Sequence, residues 1–245
     1  MIKRFFNIIS FINNHPFASR HRFKSYIKLI EWQVFQAIFR KEKIVGFVGE
    51  TKLSVSKGMT GATGNIYTGL HEFNDMGFLL HSLQKDELFF DIGANVGTYS
   101  ILASGVCKSK TYSFEPNPDT FTTFIKNINL NQLSNLINPF KLALGSEPGI
   151  VRFSSHLDTM NHVLPDTDKA SPFIETEIST VDHFVHKYGC PTIVKMDVEG
   201  FELEVLNGMK KTLNTQELKA IIIEINSSAN KYGQDDQSIH NCLIS

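Results

Sequence analysis

The apolar positions of this chain follow two different periods, and the change between them falls near residue 86. Beyond it, short apolar runs alternate with stretches whose apolar residues recur every three or four positions. Leu88-Phe89-Phe90-Asp91-Ile92 is the first run, and a helix is expected around Val96–Cys107. Thr111–Glu115 is the second strand. Asn117 and Pro118 then suit the cap and first turn of a helix with Phe121, Phe124, Ile125 and Ile128 on one face. Leu136–Leu144 reads as a third strand, interrupted by Pro139 and ended by Gly145, and Ile150–Phe153 as a short extra one. Thr180–Tyr188 predicts a short helix. Thr192–Met196 predicts a buried strand ending at Asp197, followed by a helix carrying Phe201, Val205, Leu206 and Met209. Ala220–Ile225, rich in isoleucine, reads as a fifth strand buried on both faces. Strand–helix alternation of this kind predicts an α/β fold with a doubly wound, mostly parallel sheet.

The first part of the chain is different. Phe5, Ile8, Ile9 and Ile12 share a helical face up to Pro16, and Phe23, Ile27, Ile30, Val34 and Ile38 continue at helical spacing. Residues 1–43 are therefore expected to be a basic helical arm, with residues 44–245 as the main domain. Residues 44–58 predict a hairpin turning near Gly49-Glu50-Thr51. Glycines at 58, 61, 64 and 69 predict a loop that covers the ligand site, and residues 73–83 a helix. The polar stretch 154–172 is long enough to be a functional loop or lid.

Composition narrows the classes. With 245 residues, 42% hydrophobic and 20% charged, the chain suits one soluble domain plus an appendage. A net charge of −1 offers no reason to expect nucleic acid as a partner. Cys107, Cys190 and Cys242 form no C-x-x-C pair, which argues against a disulfide framework or zinc site and for a reducing compartment. No apolar run has the length of a membrane span. The basic, apolar start breaks at Asn13-Asn14 without a small-residue cleavage site, so a cytoplasmic protein is expected. The arm carries Lys3, Arg4, Arg20, Arg22, Lys24, Lys28, Arg40, Lys41 and Lys43 against Glu31 and Glu42. It is expected to pack on the catalytic domain or on a second subunit with its basic face in water. Contact with an anionic membrane surface or an acidic partner is the alternative.

The chemistry concentrates where strands end. Asp91-Ile92-Gly93-Ala94-Asn95-Val96-Gly97 is a strand, an acid and a tight glycine turn leading into a helix, the arrangement that presents a nucleotide-like ligand. A dinucleotide fingerprint needs G-x-G-x-x-G, yet Asn95 and Thr98 stand where the second and third glycines belong. Asn95 would crowd a pyrophosphate but can hydrogen-bond an amine or a carboxylate. Asp91 suits a cation, and S-adenosylmethionine carries both an ammonium and a sulfonium. Glu115, at the end of the second strand, can accept from both hydroxyls of a ribose. Lys195-Met196-Asp197-Val198-Glu199-Gly200-Phe201-Glu202 is a second acidic cluster at a strand end. Capping and helix-dipole effects explain each acid singly, but not all three together.

Those two clusters, with Phe114-Glu115-Pro116-Asn117 between them, resemble the FkbM-type family of S-adenosylmethionine-dependent methyltransferases. Thr63–Tyr67 and Ala143-Leu144-Gly145 resemble it too, so the likeness runs from about residue 60 to about residue 226. The resemblance implies a class I, Rossmann-like methyltransferase fold and O-methylation of a hydroxyl on a sugar, glycan or other secondary metabolite. It implies that Asp91, Gly93, Asn95 and Gly97 bind the cofactor's methionine end, with Tyr67 and Asp197 as further cofactor-binding residues. Glu115 would hold the ribose, and Asn117, Ala143 and Leu144 would flank the adenine. Such a sheet usually closes with two further strands. Here residues 237–245 read as a helix, so the C-terminal hairpin is expected to be missing.

A hydroxyl needs a base or a metal to become a nucleophile. The candidate bases are Asp197, Glu199 and, ranked last, His162. A magnesium ion held by Asp197, Glu199 and Glu224 is the second hypothesis. An inactive, truncated domain that acts as a binding module and an NAD-dependent oxidoreductase are the competing readings.

Overall fold

The computed structural model describes residues 2–155, 161–165, 168, 170–225 and 228–244. The chain divides into two compact units, Met1–Ser82 and Leu83–Ser245.

The first unit contains α1 (Ile2–Asn14), a 3-10 turn (Ala18–His21), α2 (Arg22–Phe39), the strands β1 (Lys43–Gly46) and β2 (Lys52–Val55), α3 (Thr60–Thr68) and α4 (Phe73–Ser82). β1 and β2 pair antiparallel from Lys43↔Val55 to Gly46↔Lys52, as the hairpin pattern predicts. Two sequence expectations fail in this unit. The boundary expected at 43/44 lies inside it, because Ile12, Ala18 and Leu29 of the arm pack with Tyr67 of α3 in one core. Residues 60–68 form a helix rather than a loop. Gly64 is there for packing: a Cβ on it would run into the His71 ring. Asn65 Nδ2 donates to the Gly61 carbonyl (3.1 Å), and its Oδ1 accepts from the His71 N–H (2.7 Å). The apolar stripe of α2 faces outward. The buried residues are Ser25, Leu29, Trp32 and Gln36, while Phe23, Ile27, Ile30, Val34 and Ile38 are exposed.

The second unit is built on a five-stranded sheet. In chain order it holds β3 (Leu88–Ile92), α5 (Thr98–Ile101) continuing as a π-helical turn (Leu102–Val106), β4 (Lys110–Phe114), α6 (Pro118–Leu130), β5 (Ile137–Phe140), β6 (Ala143–Leu144), β7 (Gly149–Ser154) and β8 (Phe173–Ser179). α7 (Val181–Tyr188), β9 (Ile193–Met196), α8 (Glu202–Asn207), α9 (Lys210–Leu213), β10 (Ala220–Ile223) and α10 (Asp236–Ile244) follow. The sheet order is β10-β9-β3-β4-β5, every pair parallel, so the fold is the expected doubly wound, Rossmann-like α/β arrangement. β3 lies at the centre, with β4 on one side and β9 on the other, which makes its carboxyl end the switch point where ligands bind. Phe90, Ile92, Phe114, Val194 and Met196 are buried in the main core. Rings of Phe114, Phe140, Phe184 and Tyr188 extend it at centroid spacings of 4.7 to 5.9 Å.

Here too the structure departs from the pattern. The single strand expected over 136–144 is two. Pro139 sits in β5, where an edge strand tolerates the missing N–H, and the chain then turns so that β6 joins a separate sheet of order β6-β8-β7. β8, unforeseen, pairs antiparallel with β7 from Gly149↔Ile178 to Ser154↔Phe173. β10 is half-buried rather than buried on both faces, because it forms an edge of the sheet. Among the described residues no strand follows it; α10 does, seating Ile239 and Cys242 against the main core. No helix among them is long and apolar enough to cross a membrane.

This placement predicts unequal costs for truncation. Phe90→Ala, fully buried, is expected to lower the unfolding free energy by about 3–5 kcal/mol. Ile223→Ala on the half-buried edge is expected to cost less than half as much. Urea denaturation of both variants measures the difference.

Candidate active site

The turn after β3 is shaped by three residues with left-handed backbones: Gly93 (φ 75°), Asn95 (φ 52°) and Gly97 (φ 86°). A Cβ on Gly93 would collide with the Asp197 carbonyl oxygen, and one on Gly97 with the Phe124 ring. Glycine is therefore required at both by close approach as well as by φ. Asparagine tolerates the left-handed region better than most residues, and Asn95 Oδ1 accepts from the Val96 N–H (2.8 Å). The N–H groups of Gly93 and Ala94 both donate to the Phe114 carbonyl (3.0 and 2.9 Å), and Asn127 Nδ2 donates to the Val96 carbonyl (2.8 Å). The turn is thus fixed to β4 and to α6.

Glu115 follows β4 and is buried beneath this turn. One carboxyl oxygen accepts from the Asn95 N–H and the other from the Asn117 N–H, each at 2.9 Å. Asn117 in turn caps α6, its Oδ1 accepting from Asp119 N (3.0 Å) and Thr120 N (3.1 Å). Burial pushes the Glu115 carboxyl up to about 7 despite those two donors.

Asp91 lies deeper. It is fully buried, with Oδ2 accepting from the Ser100 hydroxyl (2.5 Å) and Oδ1 without a protein partner. Burial pushes its carboxyl up, opposed by the Lys195 charge. Lys195 pairs across from Asp91 in the β3–β9 register. Its Nζ donates to the Gly93 carbonyl and to Asp197 Oδ2, both at 3.2 Å, and lies 5.1 Å from the Tyr99 ring centroid. Asp197, Glu199 and Glu202 have separate surroundings. Asp197 is partly exposed beside Lys195. Glu199 has a left-handed backbone (φ 56°), a strained choice for glutamate. Glu202 is buried and accepts from the Gly200 N–H (3.0 Å), closing the turn below.

An open cavity lies at these strand ends, where ligands of a doubly wound sheet bind. Of the residues singled out from the sequence, Gly93, Asn95, Glu115, Asn117, Ala143, Leu144, Asp197 and Glu199 line it. Asp91 stands behind that wall. Gly97 shapes the turn through Phe124. His162 is buried, and the wall beside it is made by its neighbours Asn161 and Val163. Tyr67 is buried in the core of the first unit with Ile12 and Leu29. The magnesium set is not assembled: Glu224 is exposed outside the cavity wall, and among the described residues no trio of His, Cys, Asp or Glu could hold a metal ion.

Phe153, Asn161 and Val163 also line the cavity and were not expected there from the sequence, and Phe201 of the Lys195–Glu202 cluster joins them. The segment 161–165 returns to β7, with Leu164 N–H donating to Arg152 O (2.7 Å) and Ser154 N–H to His162 O (2.9 Å). The length and polarity of the 154–172 stretch mark a functional loop but give no register for it. Its residues 156–160, 166, 167 and 169 lie outside the described ones.

Residues 91–243 match the model of the methyltransferase FkbM domain. The chain belongs to this family. It is also similar to the hexuronic acid methyltransferase AglP of Haloferax volcanii, 33% identical over 153 residues, a match covering 61% of this chain and 60% of AglP. Among solved structures, the precorrin-6y C5,15-methyltransferase of Geobacter metallireducens aligns over 68% of this chain and 69% of its own (13% identity, TM-score 0.42). The M. jannaschii tRNA m1G37 methyltransferase aligns over 72% and 40% (17% identity, TM-score 0.38). The fold assignment of this FkbM-family chain rests on its own strand order.

Two outcomes follow from the turn and its acid. Gly93→Ala is expected to cost more stability than Asn95→Gly in thermal melts, since only the former forces a Cβ against the Asp197 carbonyl. The raised Glu115 pKa makes the folded state hold a proton that the unfolded state releases near the ordinary glutamate value of 4.5. The Glu115 contribution is therefore fully present below that value and is lost as pH rises through about 7. Melting temperatures measured across this window should fall more steeply for the native chain than for Glu115→Gln.

Proposed function

We propose that this FkbM-family chain is an S-adenosylmethionine-dependent methyltransferase that O-methylates a hydroxyl of a sugar or glycan. The observation that carries the reading is the Glu115 carboxyl, buried at the cavity wall with one backbone N–H on each oxygen and driven toward protonation. A ribose diol would bring two further donors to those oxygens, which favours the ionised form. The same cavity suits the cationic part of that ligand, because the acids Asp197 and Glu199 also line it, Asp197 with its backbone against Gly93. Leu142, Ala143 and Leu144 supply an apolar wall for an adenine ring.

When bound, the cofactor supplies a methyl group activated by its sulfonium. The chain's own residues then have to orient an acceptor hydroxyl and take its proton. Asp197 and Glu199 are the candidate bases. The Lys195 ammonium fixes the orientation of Asp197. Glu199 is aimed by a turn whose next residue, Gly200 (φ 104°), has no room for a Cβ against the Ser228 carbonyl. His162 ranks behind both, because its neighbours rather than its own ring face the cavity. Phe153 and Phe201 offer apolar faces to a sugar ring, and Asn161 a polar group to its hydroxyls. The name of AglP, a hexuronic acid methyltransferase, supports a saccharide acceptor.

Calorimetric titration with S-adenosylhomocysteine and, separately, NAD tests the reading. Binding of the former alone is expected, weakened at least about tenfold in Glu115→Gln. Binding of NAD, or of neither ligand, overturns the proposal. Replacement of the base by its amide, in Asp197→Asn or Glu199→Gln, should lower kcat by about 10²–10⁴ and leave S-adenosylhomocysteine affinity within a few-fold.

A further inference from the structure

The first unit carries a surface whose residues take no part in the cavity wall. α2 is 18 residues long and apolar on two nearly opposite faces. Its inner face packs through Leu29 and Trp32, with Ser25 and Gln36 buried beside them, and Gln36 Nε2 donates to the Lys41 carbonyl (2.9 Å). The outer face presents Phe23, Ile27, Ile30, Val34 and Ile38, exposed by 79, 41, 57, 51 and 65%. At helical pitch these five fall within an arc of about 80° along a rod of about 27 Å. Single exposed apolar side chains are ordinary on a protein surface, but a continuous stripe of five marks a surface made to be covered.

Charge identifies the cover. From Phe17 to Lys41 the chain holds six basic residues, Arg20, Arg22, Lys24, Lys28, Arg40 and Lys41, against the single acid Glu31. All but Lys28, which is half-buried, are exposed. A second copy seated on the same face would set these cations against their equivalents. An anionic lipid surface instead takes the apolar ridge among its acyl chains and the ammonium and guanidinium groups among its phosphates. Long lysine and arginine stems reach outward from such a helix to the headgroups. We propose that α2 is an interfacial helix, which lays the Phe23–Ile38 stripe into the headgroup–acyl boundary of an anionic membrane. No helix among the described residues spans a bilayer, so this contact lies on the membrane rather than through it.

Co-sedimentation of the full chain with phosphatidylcholine vesicles, with and without about one third phosphatidylglycerol, tests this. The anionic vesicles should bind at least about tenfold more tightly than the neutral ones, and raising salt from roughly 0.1 to 0.5 M should loosen them. The double variant Ile30→Gln/Val34→Gln should lose at least about tenfold of this partition. Lys24→Gln/Lys28→Gln should weaken it and flatten the salt dependence. Unchanged circular dichroism and melting temperature establish that the variants fold, which is expected of side chains already in water. No sedimentation with anionic vesicles overturns the proposal, as does unchanged binding by the apolar variant. A dimer that the apolar variant dissociates assigns the stripe to a second copy and overturns it too. All these readouts are independent of methyl transfer.

Discussion

The second unit depends on one buried carboxylate. Glu115 accepts the Asn95 N–H on one oxygen and the Asn117 N–H on the other, and so ties the turn after β3 to the start of α6. Each partner also has a structural duty: Asn95 holds a left-handed turn closed, and Asn117 caps the helix. Burying most of a carboxyl group is costly, and two backbone donors only partly offset that cost. The cost becomes useful if a ligand's hydroxyls complete the set. The arrangement that aligns the turn is then also the one that leaves acceptor capacity facing the cavity.

The glycine turn and the acidic cluster after β9 are braced against each other. Gly93 lies directly beneath the Asp197 carbonyl, and Lys195 bridges the Gly93 carbonyl and the Asp197 carboxylate. A buried ammonium with these two acceptors and the Tyr99 face is well compensated. The two strand ends cannot move independently without breaking those contacts. The side of the cavity formed by the glycine turn is thereby held in place by backbone contacts between two neighbouring strand ends, the arrangement that precise positioning needs.

Much of this was legible in the sequence because the relevant residues are local. Asp91–Gly97 is one turn, Glu115 ends a strand whose limits follow from its apolar run, and Asp197 ends another. The parallel order follows from the alternation of strands and helices. What escaped depends on which neighbour covers a face. Periodicity found the α2 stripe but not its direction, because the buried side of that helix includes Ser25 and Gln36, which hydropathy places outside. Glycine frequency misread α3, where Gly64 admits the His71 ring. β8, Phe-Ile-Glu-Thr-Glu-Ile-Ser, pairs with β7 across the whole 155–172 stretch, and no local signal sets that register. Asn161 and Val163 reach the cavity through the same return, so they were as hidden as the strand.

The departures from a dinucleotide fingerprint can now be given a structural cause. In that fingerprint the second glycine lets a pyrophosphate approach the backbone. Here Asn95 occupies the position, spends its Oδ1 on the Val96 N–H and its own N–H on Glu115. The turn has exchanged room for rigidity. The third glycine normally allows a helix to pack closely, and in this chain Gly97, one residue earlier than Thr98, does so against Phe124 of α6. A closed turn with an asparagine at its rim and carboxylates on either side has little to offer a diphosphate, whose charges it would repel. It suits a ligand that brings hydroxyls to one acid and positive charge to the others.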